Sequence, residues 1–239
     1  LHSGGLAFIL SALFFVNITH RILKDLQNMP SLPKGCPVTL TIMAANILFF
    51  AGQFATQDML TNMGLLYGPL VQDGQYWRMI SSGFLHGSIL HIAFNMYLLY
   101  MLGPQLESAL GSVRFSLMYF GALIGGTLAV LSFGFMQPTL GASGAVLGLA
   151  GAMFITLWGR GISPTKSPVF GLVVLNLGLP LLIPGISFWG HFGGVVAGAL
   201  LAYVMVWLPE HSRTRSGRKN ISQGGAVVLV LAVACFAVL

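Results

Sequence analysis

Gly141-Ala142-Ser143-Gly144-Ala145-Val146-Leu147-Gly148-Leu149-Ala150-Gly151 opens a stretch that reaches Gly159 without a charged residue. At 100° per residue, Gly144, Gly148 and Gly151 fall on one stripe of a helix. Small residues spaced in this way let helix backbones approach closely in lipid. A second apolar stretch, Trp189-Gly190-His191-Phe192-Gly193-Gly194 and onward, carries the matching stripe Gly190, Gly194 and Gly198. His191 lies within about 60° of Gly194 and about 20° of Gly198 around that helix. It therefore faces whatever the stripe packs on. If the two stripes pack on each other, Ser143 and His191 come within hydrogen-bond reach.

The composition agrees with a chain built for lipid. Of 239 residues, 56% are hydrophobic and 7% charged, and mean hydropathy is +0.85. Soluble domains carry about 25% charged residues, so this surface cannot be covered with charge. The net charge of +6 does not mark a nucleic-acid binder. Its basic residues sit at the ends of apolar runs and form no stripe. The two cysteines, Cys36 and Cys235, form no metal spacing or disulfide framework.

Leu6 to Ile18 is apolar but short for a span, and is read as an interfacial or packed helix. The prolines at 30, 33 and 37 mark a linker. Seven apolar stretches follow, near 38–56, 87–102, 114–134, 143–159, 168–184, 186–208 and 224–239. The second and fourth are expected to be short helices ending inside the protein. Residues 57–86 form a long loop whose Tyr67, Tyr76, Trp77 and Phe84 suit the membrane interface.

With the N-terminal side in the cytoplasm, the cytoplasmic segments hold Arg21, Lys24, Lys34, Arg114, Arg160, Lys166, Arg213, Arg215, Arg218 and Lys219. Only Arg78 falls outside, a positive-inside pattern. The same arrangement puts Ser143 and His191 at the outer starts of the fourth and sixth spans.

Serine is a weak nucleophile until a neighbouring base takes its proton. Histidine titrates near neutrality and can accept and return that proton. An intramembrane histidine is costly and needs a reason. Only His91 and His191 are read as lying well inside apolar stretches. His91 and Asn95, four apart, share a helix face. Their N–H groups, with the Ser143 backbone N–H, suit a developing oxyanion. The bland alternatives are glycine packing and polar helix–helix hydrogen bonds. The five acids, Asp25, Asp58, Asp73, Glu107 and Glu210, are all read as lying in loops or termini. The expectation is a Ser–His dyad whose histidine is oriented by packing or a neutral hydrogen bond. There is no HExxH and no buried aspartate pair, so neither a metal nor another cofactor is expected.

Taken in order, Trp77-Arg78, His91-x-x-x-Asn95, Gly141-Ala142-Ser143-Gly144 and His191 with Gly194 and Gly198 resemble the rhomboid family of intramembrane serine proteases across about residues 38–208. The resemblance implies an all-α, polytopic helical membrane protein: a six-helix bundle with an additional C-terminal transmembrane helix. It divides the chain into an N-terminal segment and linker (1–37), a catalytic core (38–208) and a basic loop with a seventh helix (209–239). It implies Ser143 as nucleophile, His191 as general base, and His91, Asn95 and Gly141 as oxyanion-shaping positions. Trp77, Arg78 and Glu107 match structural positions, Glu107 tying the loop after the second span. Many members carry a tyrosine four residues after the serine; Leu147 stands there in this chain.

The implied substrates are single-span or polytopic membrane proteins, cut in or near a transmembrane segment, with the fifth span and Ile183 to Phe188 moving to admit them. The expected location is a bacterial inner membrane with the active site opening outward. The alternative function is a catalytically silent relative acting as a membrane chaperone or dislocation factor. A transporter would be expected to show internal repeats and intramembrane acids, and neither is read here.

Overall fold

The computed structural model describes residues 35–211. The Leu6–Ile18 segment, the first part of the linker and the seventh apolar stretch lie outside the described residues. Among the described residues the protein is all-helical, with one isolated β-bridge between Leu66 and Thr139. The main helices are α1 (Pro37–Ala55), α5 (Ile89–Leu110), α6 (Ser112–Phe133), α7 (Ser143–Gly159), α8 (Pro168–Gly178) and α9 (Phe188–Ala202). Three short helices, α2 (Met59–Gly64), α3 (Gly68–Gln72) and α4 (Arg78–Ser81), occupy the segment between α1 and α5. The α9 axis continues through a π-helical turn, Tyr203–Trp207, which makes one apolar rod of 20 residues.

Among the described residues, four helices are long and apolar enough to cross a membrane: α1, α5, α6 and the extended α9. Two shorter apolar helices accompany them, α7 and α8 with its terminal turn. The fourth stretch is thus short, as expected, but the second is not. α5 runs through Gly103 and Pro104 to Leu110. Gly-Pro reads as a breaker in sequence. In apolar surroundings a proline inside a helix is tolerated, because neighbouring groups satisfy the backbone it frees.

That extension moves Glu107 out of the loop assigned to it and into the last turn of α5, where it is buried. A buried carboxylate needs donors, and it has four. Its Oε1 accepts from the Val38 amide (3.0 Å) and the Ser112 hydroxyl (2.7 Å). Its Oε2 accepts from the Thr39 amide (2.8 Å) and the Thr39 hydroxyl (2.7 Å). The first amides of a helix lack intrahelical partners and carry partial positive charge. Glu107 therefore caps the N-terminus of α1 as well as the turn into α6, a wider tie than the one expected of it.

The segment between α1 and α5 is held by Arg78 and Trp77. The Arg78 guanidinium is buried and donates to the carbonyls of Asn62 and Leu65, both at 2.9 Å, and to Gln75 Oε1 at 2.8 Å. Trp77 leaves its ring exposed and donates its indole N–H to the Met63 carbonyl at 3.0 Å. What reads as a loop is a set of short helices pinned from inside.

The core lies between α5, α6, α7 and α9. Leu99, Phe115, Met118, Tyr119, Val146, Leu149 and Leu201 are fully or nearly fully buried there. α9 packs most extensively on α7, then on α6. The glycine stripes make this contact possible. A Cβ on Gly194 would collide with the Gly144 carbonyl, one on Gly198 with the Gly148 carbonyl, and one on Gly151 with the Val195 carbonyl. The register runs in the same direction on both helices, so their N-termini lie side by side.

α8 is different. It contributes no buried residue, and Phe170, Val174 and Leu175 are exposed. In sequence the fifth apolar stretch extends to 184. The helix stops at Gly178 and a short 3-10 turn, Leu179–Leu181, follows.

Candidate active site

Ser143 is the first residue of α7, and His191 lies in the first turn of α9. Helix α9 starts where it does because the Ser187 hydroxyl caps it, accepting from the Gly190 amide at 3.2 Å. With the two N-termini abutting, Ser143 Oγ and His191 Nε2 are 2.9 Å apart. The imidazole is buried and the serine half-buried. His191 Nδ1 meets a backbone oxygen, the Asn176 carbonyl of α8, at 2.9 Å. A carbonyl oxygen only accepts, so Nδ1 carries the proton and Nε2 is left as the acceptor for the serine O–H. Of the two expectations for this histidine, packing or a neutral hydrogen bond, the contact at Nδ1 has the form of the second. Leu147, at the position of the missing tyrosine, is buried within α7.

The second constellation lies beside the first. Gly141 has φ +129°, in the region that favours glycine. Its amide donates to the Ser82 carbonyl at 2.9 Å. A Cβ there would lie 2.7 Å from His91 Nε2 and 3.7 Å from Ser143 Oγ. Glycine is thus required both by conformation and by the approach of the His91 ring. His91 Nδ1 accepts from the Gly87 amide at 3.4 Å, a long bond, which keeps its proton on Nε2, the side towards Gly141. Asn95 is buried and spends one amide proton on the His91 carbonyl at 3.0 Å. The Ser143 amide, at the first position of α7, has no partner within its own helix.

A cavity of about 30 Å³ opens beside Ser143, lined among others by Ser82, Thr127, Gly141 and Ser143. Space of this size, edged by hydroxyls, is large enough for a water molecule.

Sequence reasoning missed three participants. His86 was not singled out, yet it is 2% exposed and its ring lies 5.0 Å from that of His91, edge to face. Burial, and then the neighbouring His91, push its imidazole down to about 3, so it stays neutral. Gln53 of α1 clamps the His86 backbone, donating to its carbonyl (3.1 Å) and accepting from its amide (2.9 Å). Asn176 takes part only through its carbonyl, which no search for polar side chains would find.

A helical membrane bundle with a serine and a histidine in contact at two abutting helix starts defines a narrow class of protein. The rhomboid domain model matches residues 73–208, and the chain belongs to the rhomboid family. It is 31% identical to rhomboid protease GluP of Bacillus subtilis over 168 residues, which is 69% of this chain and 33% of that protein. It is 35% identical to RHOMBOID-like protein 5 of Arabidopsis thaliana over 159 residues, 64% of this chain and 51% of that protein. It is 28% identical to rhomboid-like protease 1 of Toxoplasma gondii over 198 residues, 76% of this chain and 64% of that protein. The chain spans about a third to a half of the first two relatives. Family and apolar helices together make it an integral membrane protein.

Proposed function

We propose that this protein is an intramembrane serine endopeptidase acting on membrane-protein substrates through Ser143 and His191. The observation that carries the reading is the 2.9 Å contact between Ser143 Oγ and His191 Nε2, with the Nδ1 proton held by a carbonyl. A silent chaperone would have no need of that geometry.

In the proposed reaction Ser143 Oγ forms a bond to the scissile carbonyl carbon while His191 Nε2 takes the hydroxyl proton. Negative charge develops on the carbonyl oxygen. The Ser143 amide, His91 Nε2–H and the remaining Asn95 amide proton are the donors available to it. Collapse breaks the C–N bond, and His191 gives its proton to the leaving amine. Water, activated by the same histidine, then attacks the acyl-enzyme and releases Ser143. The hydroxyl-lined cavity suits the supply of that water.

A substrate helix shields its own peptide bonds by backbone hydrogen bonding, so cleavage favours segments weakened by glycine or proline. The weakly packed α8 and the 183–188 loop are the proposed route of lateral access. The full architecture proposed is a six-helix core over 38–208, with the seventh helix in 209–239. In the proposed orientation the Ser143 and His191 ends of α7 and α9 face outward, and Arg160 and Lys166 lie at the cytoplasmic end. A bacterial inner membrane is the proposed home.

A fluorophosphonate probe tests the nucleophile without knowledge of any substrate. The expected result is covalent labelling that peptide mapping assigns to Ser143 and that is lost in Ser143→Ala. Labelling elsewhere, or none in folded protein, would overturn the assignment.

A further inference from the structure

The Asn176 carbonyl is available to His191 for a reason written in the sequence. In an α-helix the carbonyl of residue 176 accepts from the amide of residue 180. Residue 180 is proline and has no N–H. The amide before it, at Leu179, makes its ordinary helical bond to the Leu175 carbonyl and so does not serve Asn176. The helix then gives way to the Leu179–Leu181 turn, whose last carbonyl bond runs from the Leu182 amide to Leu179. The Asn176 side chain takes no part, since its amide donates to the Leu172 carbonyl of its own helix at 2.9 Å. What reaches His191 Nδ1 is backbone, and it is backbone that Pro180 leaves without its helical partner.

We infer that Pro180 makes the Asn176 carbonyl the third, positioning member of the Ser143–His191 pair, and that the site is armed only while α8 stands against α9. This rests on the serine-protease reading of the same site. A carbonyl at Nδ1 fixes the tautomer that leaves Nε2 free to accept from serine. It also keeps accepting the hydrogen bond from Nδ1–H while the imidazolium forms, the proton staying on Nδ1, a role that an orienting acid plays in soluble triads. The carrier of this carbonyl is the least anchored of the main helices: α8 buries no side chain, and Leu181 and Leu182 beyond it are 85% and 79% exposed. An outward step of α8 by more than about 1 Å would stretch the 2.9 Å contact past hydrogen-bond range. Displacement of α8 thus withdraws the positioning group, and its return restores it.

The test is Pro180→Ala in the full chain, which supplies the missing N–H and lets the Asn176 carbonyl close its own helical bond. With a model single-span substrate, kcat should fall roughly 10- to 100-fold with KM within about twofold of its original value, the pattern of a lost transition-state interaction. The effect should stay below the roughly 10⁴-fold cost of losing an orienting carboxylate, because a carbonyl carries no full charge. Unchanged kcat in a variant with unchanged thermal stability would overturn the inference.

A second measurement does not depend on the variant folding. In ¹⁵N-histidine-labelled protein, with His191→Gln as the assignment control, His191 should show a protonated Nδ1 and a bare Nε2. Protonation at Nε2 instead would contradict the inference even if the enzyme cleaves. The tautomer is read without turnover, so a protein that neither cleaves nor labels at Ser143 would refute the protease reading while leaving the carbonyl contact separately decided.

Discussion

His191→Ala should lower kcat on the order of 10⁵-fold while leaving the protein folded. When nucleophile and base act as a unit, loss of either member removes nearly all that the unit contributes. Among the described residues, the imidazole that meets Ser143 Oγ is that of His191, at 2.9 Å. Without it the hydroxyl keeps its proton and attacks no faster than water-exposed serine. Alanine is a good helix former. The α7–α9 contact is carried by glycines one to two turns further along, so the bundle survives. Cleavage rate and melting temperature in detergent check both halves. Activity within tenfold of the unaltered protein would mean that another base serves Ser143, and His91, near Gly141, would be the first suspect.

Gly198→Val should damage stability and activity together. A Cβ at this position already collides with the Gly148 backbone, and backbone cannot swing aside as a side chain can. The helices must separate or shift. Overpacking of this kind costs about 1–3 kcal/mol and sometimes more, which corresponds to a fall in melting temperature of roughly 2–12 °C for a chain of this size. His191 lies seven residues before Gly198, about 10 Å along the same axis. A helix pushed off α7 at Gly198 carries the imidazole away from Ser143. Gly171→Ala makes a fair comparison, because nothing lies within 4 Å of the added Cβ. That variant should melt as the unaltered protein does. A Gly198→Val protein with unchanged melting temperature and cleavage would show that the close α7–α9 approach is not needed.

The glycine stripes were the legible part. Gly144, Gly148 and Gly151 on one helix and Gly194 and Gly198 on another can be read from spacing alone, and each meets backbone of the facing helix. That contact, with a polar residue at each helix start, was enough to bring Ser143 and His191 together. The role of Glu107 was only half legible. Gly103-Pro104 looks like a helix end in water-based rules, so the acid after it reads as a loop residue. In an apolar bundle the helix runs on, and the acid meets the amides of α1, nearly 70 residues away. His86 was hidden by its place just before a span. Its neighbours include Phe50 and Gln53 of α1, more than 30 residues away in sequence, contacts with no local pattern. The Asn176 carbonyl was hidden because it is backbone. Its one sequence signal was the proline four residues on, which reads as a helix end and not as a freed acceptor.

The most direct test of the central claim is cleavage of a model single-span substrate by purified protein in detergent, set beside Ser143→Ala, with product termini identified by mass spectrometry. The account predicts one or a few cuts in or near the transmembrane segment, absent from the Ser143→Ala sample. Equal cleavage in both samples would contradict it.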